Sequence, residues 1–202
     1  MLIDPNDVDP RVIYGHLVNV VIPRPIGWIS TTSTAGVDNL APYSFFNAVC
    51  ANPPTVFFSG ARDRNGNQKD SVLHAIETGE FVVNIVPHRL GEQMGTSSAT
   101  LARDQSEFDL AGLTREPSGK VKPPRVAEAD VHLECRVSHT LDLGDGGPMS
   151  TTLVFGEVVL MHVREKVLDG DGNVDAGRLD AIGRLGGSSY ATTRDRFDMG
   201  RG

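Results

Sequence analysis

The sequence predicts a mainly β protein, built as a closed antiparallel barrel with a few peripheral helices. Short β-branched and aromatic segments recur along the chain, and tight turns rich in Gly, Asn and Asp separate them. Few segments have the periodicity of an amphipathic helix. Neither an internal repeat nor a shift in composition divides the 202 residues, so we expect a single domain over residues 1–202.

Two helices are expected. Asp9-Pro10 favours a helix start, and this helix should reach about Val18. The second should span residues 71–78, with Gly79 as its stop. The residues expected to face inward are Val12, Ile13 and Leu17 on the first helix and Val72, Leu73 and Ile76 on the second.

The strands account for most of the remaining chain. We expect them at residues 25–32, 40–49, 55–59, 81–86, 131–142 and 151–163. Leu133, Cys135 and Val137 alternate with polar residues, as in a half-buried antiparallel strand. The stretch from His88 to about Arg103 has weak periodicity and predicts only a poorly specified helix plus loop.

Composition bounds the function. The net charge of −7 argues against nucleic acid as the main partner. No apolar run is long enough for a membrane span, and the N-terminus lacks the basic start and apolar run of a secretory signal, so we expect a cytoplasmic protein. Cys50 and Cys135 lie in apolar strand-like stretches and are expected to be small core residues.

Several kinds of chemistry lack their motifs. The histidines and cysteines form no metal-binding cluster, and there is no nucleophile elbow, P-loop or Rossmann glycine motif. The acidic stretch 169–180 resembles a calcium loop, but Val174 stands where that loop needs glycine and Asp180 where it needs glutamate. We therefore interpret it as an acidic turn and name no catalytic protein residue.

Polar residues are concentrated within three apolar segments. Hydroxyl residues end the run 24–33, aromatic rings alternate with Ser and Asn in 39–47, and Arg62 and Lys69 flank a loop that leads into the second helix. A flat ring needs packing partners and a few fixed polar groups, and a phosphate needs hydroxyls, cations and preferably a helix N-terminus. The pattern is typical of a site that binds an aromatic phosphate ester. It is also typical of polar side chains on exposed edge strands and of solvated charges in loops.

The same segments resemble the flavin reductase-like, FMN-binding split-barrel family. The resemblance rests on Arg24-Pro-Ile-Gly-Trp-Ile-Ser-Thr, Leu40-Ala-Pro-Tyr-Ser-Phe-Phe-Asn-Ala-Val, Asn52-Pro-Pro-Thr-Val-Phe-Phe-Ser, Lys69-Asp-Ser and Gly183-Arg-Leu-Gly-Gly-Ser-Ser-Tyr. The last motif is similar to that of the family's flavoprotein oxygenase-reductase branch. Relatives commonly carry Thr where this chain has Ser71, which keeps the hydroxyl. The resemblance covers about residues 10–198 and implies a six-stranded antiparallel split β-barrel with Greek-key connections.

The resemblance also implies which residues bind FMN. Around the flavin ring and ribityl chain it places Trp28, Ser30, Thr31, Thr32, Ser44, Phe45, Phe46 and Asn47. Around the phosphate it places Ser59, Arg62, Lys69, Asp70 and Ser71. Gly186 and Tyr190 would close over the site, as in a homodimer that shares its sites.

The expected function is FMN-dependent electron transfer, with a hydride passing from NAD(P)H to the flavin and electrons passing onward. Two alternatives stay open: a flavoenzyme of the same fold with another electron acceptor, and a non-catalytic FMN-binding protein. Residues 90–105 would lie near the open face of the flavin, where they would decide whether a nicotinamide can reach it.

Overall fold

A seven-stranded antiparallel sheet forms the body of the protein in the computed structural model, which describes residues 1–200. Its strands, in the order β3-β2-β6-β9-β10-β5-β4, are β2 Gly27–Thr32, β3 Asp38–Tyr43, β4 Phe46–Ala51, β5 Pro54–Ala61, β6 Glu80–Ile85, β9 Val131–Leu143 and β10 Thr151–Val163. Two small sheets accompany it, one of β1 Arg24–Pro25, β11 Ile182–Arg184 and β12 Tyr190–Thr192, and one of β7 Arg115–Glu116 and β8 Arg125–Val126.

The helices lie around this sheet. They are α1 Pro10–Val20, α2 Asp70–Thr78, α3 Gly91–Thr96, α4 Glu107–Leu110 and α5 Ala176–Leu179, with short 3₁₀ turns at His88–Leu90 and Glu165–Val167. Within residues 1–200, no helix is long and apolar enough to cross a membrane.

The expected strand 40–49 is interrupted, and this break determines the shape of the barrel. Residues 38–43 form β3 at one edge of the sheet, whereas residues 46–51 form β4 at the other edge. The chain passes between them through Ser44 and Phe45 alone, so the two edges must lie side by side. The Ser59 amide donates to the Phe45 carbonyl at 2.9 Å, which extends the β4–β5 ladder up to this corner, and β3 lies in contact with β5 there. The break also explains why the sheet has seven strands rather than the six expected.

The interior of the barrel is packed with aromatic rings. Phe58 is fully buried, its ring lies edge-on to that of Phe81 at 5.2 Å, and the ring of Tyr43 is 5.0 Å from it. Gly156 on β10 permits this packing, because a Cβ there would collide with Phe81 and lie 2.9 Å from the Cβ of Cys135. A second apolar cluster lies outside the barrel under α3 and α4.

Trp28 anchors this second cluster. The residue is fully buried, and its indole N–H donates to the Ser97 hydroxyl at 2.8 Å. Segment 88–103, left unspecified by its sequence, thus forms a 3₁₀ turn and α3 that cover the outer face of β2.

Three burial predictions are wrong. None of the residues of α1 is buried, and Val12 and Leu17 are each 47% exposed, because contacts such as that between the Tyr14 and Phe45 rings cover its apolar side only in part. On α2, Val72 is buried as expected, but His74 and Ala75 also face inward and Ile76 is exposed. Cys50 is exposed because only Phe46 of the edge strand β4 is buried, whereas Cys135 is buried as expected.

Candidate functional site

A continuous groove runs along the barrel seam and ends at the N-terminus of α2. It consists of three adjoining cavities that share wall residues. We call them the apolar cavity, of about 510 Å³, the middle cavity, of about 420 Å³, and the helix cavity, of about 160 Å³. The first two share Ser44, Phe45, Ser59 and Thr151, and the last two share Pro42, Tyr43 and Lys69.

The apolar cavity takes its walls from β4, β5, the β9–β10 hairpin, β1 and α1. Its apolar residues are Leu17, Val21, Pro23, Pro25, Phe45, Phe46, Phe57, Leu143 and Leu153. Four uncharged polar residues, Ser44, Asn47, Ser59 and Thr151, interrupt this surface, and Arg24, which is only 6% exposed, adds a cation. A flat apolar ring with polar groups at its edge matches such a surface.

Hydroxyl groups and cations line the middle cavity. The hydroxyls of Ser59 on β5 and Thr151 on β10 lie 2.7 Å apart as diagonal neighbours on paired strands, since Ser59 lies opposite Leu153 and Thr151 opposite Ala61. Arg62 follows β5 and is held by two bonds, from its amide to the Ser150 carbonyl at 2.8 Å and from its guanidinium to the Gly66 carbonyl at 3.2 Å. The middle cavity can therefore hold a polar chain and the start of an anionic group.

The helix cavity lies against the start of α2. Lys69 is the N-cap residue and makes no side-chain cap, and the positive end of the helix dipole faces the cavity. Together with the ammonium group of Lys69, which also lines the middle cavity, this end of the groove favours an anion such as phosphate.

A buried network fixes α2 against β3. Ser71 donates to Asn39 Oδ1 at 2.6 Å, and Asn39 donates to Glu107 Oε2 at 2.7 Å. Burial raises the pKa of Glu107 against the opposing effect of its hydrogen bonds. Burial also raises the pKa of Tyr43 to about 12, so its phenol is a neutral group in the groove wall at physiological pH.

The groove contains nine of the fifteen predicted site residues. They are Ser44, Phe45, Phe46, Asn47, Ser59, Arg62, Lys69, Asp70 and Ser71. Within this set, the Ser71 hydroxyl hydrogen is committed to Asn39, and the Asp70 carboxylate lies 3.1 Å from Arg103. At these two positions the backbone amides of the helix start are better placed than the side chains to receive an anion.

Four predicted residues of β2 do not line the groove. Trp28, Ser30 and Thr31 are fully buried, and the Ser30 hydroxyl donates to the Pro124 carbonyl at 2.5 Å. Thr32 is half-buried and donates to Asp38 at 2.7 Å. Their side chains stabilise the barrel wall behind the groove, and a direct contact with a ligand stays a prediction.

Gly186 and Tyr190 also lie away from the groove in the single chain. Gly186 packs against Asn19 of α1, where a Cβ would collide. Tyr190 hydrogen-bonds to Arg184 and lines a separate cavity of about 500 Å³ beside Arg89. Their predicted closure over the site would require a second copy of the chain.

Thr151, Tyr14 and Arg24 line the groove but were not among the predicted site residues. Thr151 begins β10 in the run Ser150-Thr151-Thr152, which resembles the hydroxyl run of β2, so its composition gave a usable signal. No such signal marked Tyr14, because an aromatic residue on an amphipathic helix is usually part of a core.

The comparisons with known proteins agree with this geometry. Residues 20–179 match the family model described as flavin reductase like domain. Nitrilotriacetate monooxygenase component B from Bacillus cereus is 36% identical with a TM-score of 0.93, and the match covers 98% of each chain. The 2-nitrobenzoate 2-nitroreductase NbaA of Pseudomonas fluorescens is 30% identical with a TM-score of 0.87, covering 100% of this chain and 96% of that one.

A third structure bears on the fold alone. A split-barrel protein of Shewanella frigidimarina is 23% identical with a TM-score of 0.84, and the match covers 100% of both chains. The mainly β, antiparallel split barrel expected from the sequence is thereby confirmed.

Proposed function

The chain belongs to the flavin reductase-like family, and from this premise we propose that it binds FMN and acts as an NAD(P)H-dependent flavin reductase. One observation carries the proposal: a single groove changes from an apolar surface at one end to a cation and a helix N-terminus at the other. FMN has the same sequence of parts, namely a flat ring, a polyol and a phosphate.

Each part of the cofactor has a set of residues suited to hold it. The apolar cavity would take the ring between Phe45, Phe57 and the proline-rich wall. The paired hydroxyls of Ser59 and Thr151 would meet the polyol or the polar edge of the ring. Lys69, Arg62 and the first amides of α2 would hold the phosphate.

The chain's own contribution to the reaction is orientation and the exclusion of water. When bound, FMN accepts two electrons and a proton from NAD(P)H and passes the electrons onward. No side chain of the groove needs to move a proton for this transfer. The apolar walls keep one face of the ring dry, and the rigid seam fixes its position relative to the open face.

The decisive test is anaerobic mixing of the FMN-loaded protein with NADH and with NADPH in a stopped-flow instrument. At least one nicotinamide should bleach the flavin absorbance within seconds, and Cys50→Ser should react at the same rate because Cys50 is exposed on β4 and lies outside the three cavities. Bleaching by dithionite but by neither nicotinamide would mean that the protein binds FMN without being a reductase of this kind.

A second candidate function has a specific observation in its favour. The match to a 2-nitrobenzoate 2-nitroreductase at 30% identity suggests that electrons from the flavin could go to an organic acceptor instead of free flavin or oxygen. Supplying a nitroaromatic acid to the protein reduced by nicotinamide separates the two. Stoichiometric consumption of the nitro compound would support the second function, and its persistence beside continued oxygen uptake would support the first.

We also propose that the protein is a homodimer in which a second copy covers α1. Several apolar residues of α1 and of the segment after it are exposed, namely Tyr14, Leu17, Val20, Val21 and Ile22, and so is Leu143. Leu17, Val21 and Leu143 also line the apolar cavity, so the same face borders the groove. An isologous contact there would cover this apolar surface and complete the site.

The oligomeric state gives a direct prediction. Light scattering should yield about twice the chain mass of 21.7 kDa, because the apolar face is covered only in the dimer. Leu17→Glu should lower the mass toward the monomer, since a charge would be buried in the contact. Val174→Glu, an equally apolar and exposed position in the acidic turn, is the matched control and should leave the mass unchanged. A wild-type monomer at micromolar concentration would contradict the shared site.

A further inference from the structure

Arg24 is a buried cation at the apolar end of the groove. The residue begins β1 and is only 6% exposed. Its guanidinium donates from Nη1 to the carbonyls of Val18 and Val21, from Nη2 to the carbonyl of Leu185 at 3.0 Å, and from Nε to the Ser44 hydroxyl at 3.3 Å. These contacts join the end of α1, the loop after β11 and the barrel seam, and they hold the guanidinium in one place.

The charge of Arg24 has no counter-ion in the described part of the chain. Within residues 1–200, no carboxylate lies within 4.0 Å of its nitrogens. Four of its five N–H groups are engaged, all with neutral oxygens, and one on Nη2 has no acceptor among these residues. Carbonyls at the C-terminal end of α1 offset part of the cost of burying this cation, and the remaining Nη2–H leaves it able to bind a negative partner that the chain itself does not supply.

The apolar cavity is the place from which that partner can come. Of the described residues that line it, Arg24 alone is charged. Most of the other residues that line it are apolar, which makes a charge interaction within it stronger than at the surface. The phosphate of FMN does not fit this role, because Lys69, Arg62 and the helix N-terminus lie at the other end of the groove.

We propose that Arg24 determines which redox state of the flavin the groove prefers, by pairing with the ring in its reduced, singly negative form. This inference rests on the proposed FMN site. The oxidised ring is neutral, and two electrons with one proton convert it to a monoanion whose charge is spread over its pyrimidine edge. A guanidinium beside that edge stabilises the anionic product of this reduction more than its neutral reactant. Arg24 is thus a specificity-determining residue for the reduced cofactor.

The test compares the affinity of the protein for oxidised and reduced FMN, both measured anaerobically with the full chain. Wild type should bind reduced FMN about tenfold more tightly, the effect expected of a single charged hydrogen bond. Since a tenfold ratio equals about 30 mV for a two-electron couple, the potential of bound FMN should lie above that of free FMN by about that amount. Arg24→Gln should reduce the ratio to about one.

Two further variants separate the charge of Arg24 from its role as a structural support. Arg24→Lys keeps the charge but loses the planar fork of hydrogen bonds, so it should lower the melting temperature while keeping most of the redox preference. A purely structural role would instead give the same ratio in both Arg24 variants. Arg62→Gln is the matched control, and it should weaken both redox states equally, because the phosphate carries the same charge in each.

Each outcome supports or overturns the inference. A wild-type ratio of one, or a preference for oxidised FMN, overturns it without any variant, and so does an Arg24→Gln protein whose ratio equals that of wild type. If Arg24→Gln fails to fold, the wild-type ratio decides, since a ratio of one overturns the inference and a tenfold preference for reduced FMN supports it. If neither redox state binds at all, the proposed FMN site fails as well, whereas binding without preference refutes the role of Arg24 alone.

Discussion

Phe58→Ala should lower the free energy of unfolding by about 3–5 kcal/mol, the range observed when a buried phenylalanine is truncated. Phe58 is fully buried between Phe81 and Tyr43, and rigid strands on both sides would prevent the barrel from closing on the cavity. Because Tyr43 belongs to the groove wall, the variant should also bind FMN less tightly. Urea unfolding followed by circular dichroism measures the first effect, and flavin fluorescence measures the second.

Phe197→Ala is the control for that experiment. Phe197 is 83% exposed, so the same truncation should change stability by less than about 0.5 kcal/mol. A loss of less than about 1.5 kcal/mol in Phe58→Ala would mean that the barrel interior is looser than the packing of these rings indicates.

Lys69→Ala should weaken FMN binding about 10- to 100-fold, which corresponds to about 1.5–3 kcal/mol for a charged hydrogen bond. Lys69 occupies the N-cap position of α2 and lines both the middle and the helix cavities, where a phosphate would meet its ammonium group and the helix dipole. Riboflavin lacks the phosphate, so its weaker binding should be unaffected by the substitution. Parallel titrations of FMN and riboflavin into the apoprotein measure both.

Lys122→Ala is the matched control, because Lys122 is exposed and lies outside the three cavities of the groove. It removes the same charge from the protein but should leave both affinities unchanged. If Lys69→Ala weakened riboflavin and FMN binding equally, the result would contradict the placement of the phosphate at this end of the groove.

Local signals predicted the segments of this fold well. The Asp9-Pro10 start and the Gly79 stop both hold, the latter because Gly79 adopts the left-handed conformation with φ 74°. The β9–β10 hairpin was visible from its turn and its alternation. Such features depend on residues close in sequence, and a single chain displays them without homologues.

Features that depend on distant residues were missed. Periodicity identified the apolar face of α1 but could not say whether this chain or another covers it. The run 39–49 carries no turn signal at Ser44-Phe45, because the break arises from barrel closure. Thr151 joins Ser59 only because β5 and β10 pair, and the two residues are 92 positions apart. The local motifs therefore predicted the groove residues before and within α2, but not those contributed by α1 and β10.

The strand order also bears on when the cofactor can be acquired. The β4–β5 hairpin pairs with the rest of the sheet only through β10, which follows β5 by about 90 residues. During synthesis this hairpin must wait roughly 5–20 s for its partner at ribosomal speeds of about 5–20 residues per second. The cofactor cannot act as a template for early folding, because the strands that form the walls of the groove have not yet paired. The cofactor would instead bind the completed barrel and raise its free energy of unfolding by RT ln(1 + [L]/Kd), where [L] is the concentration of free FMN.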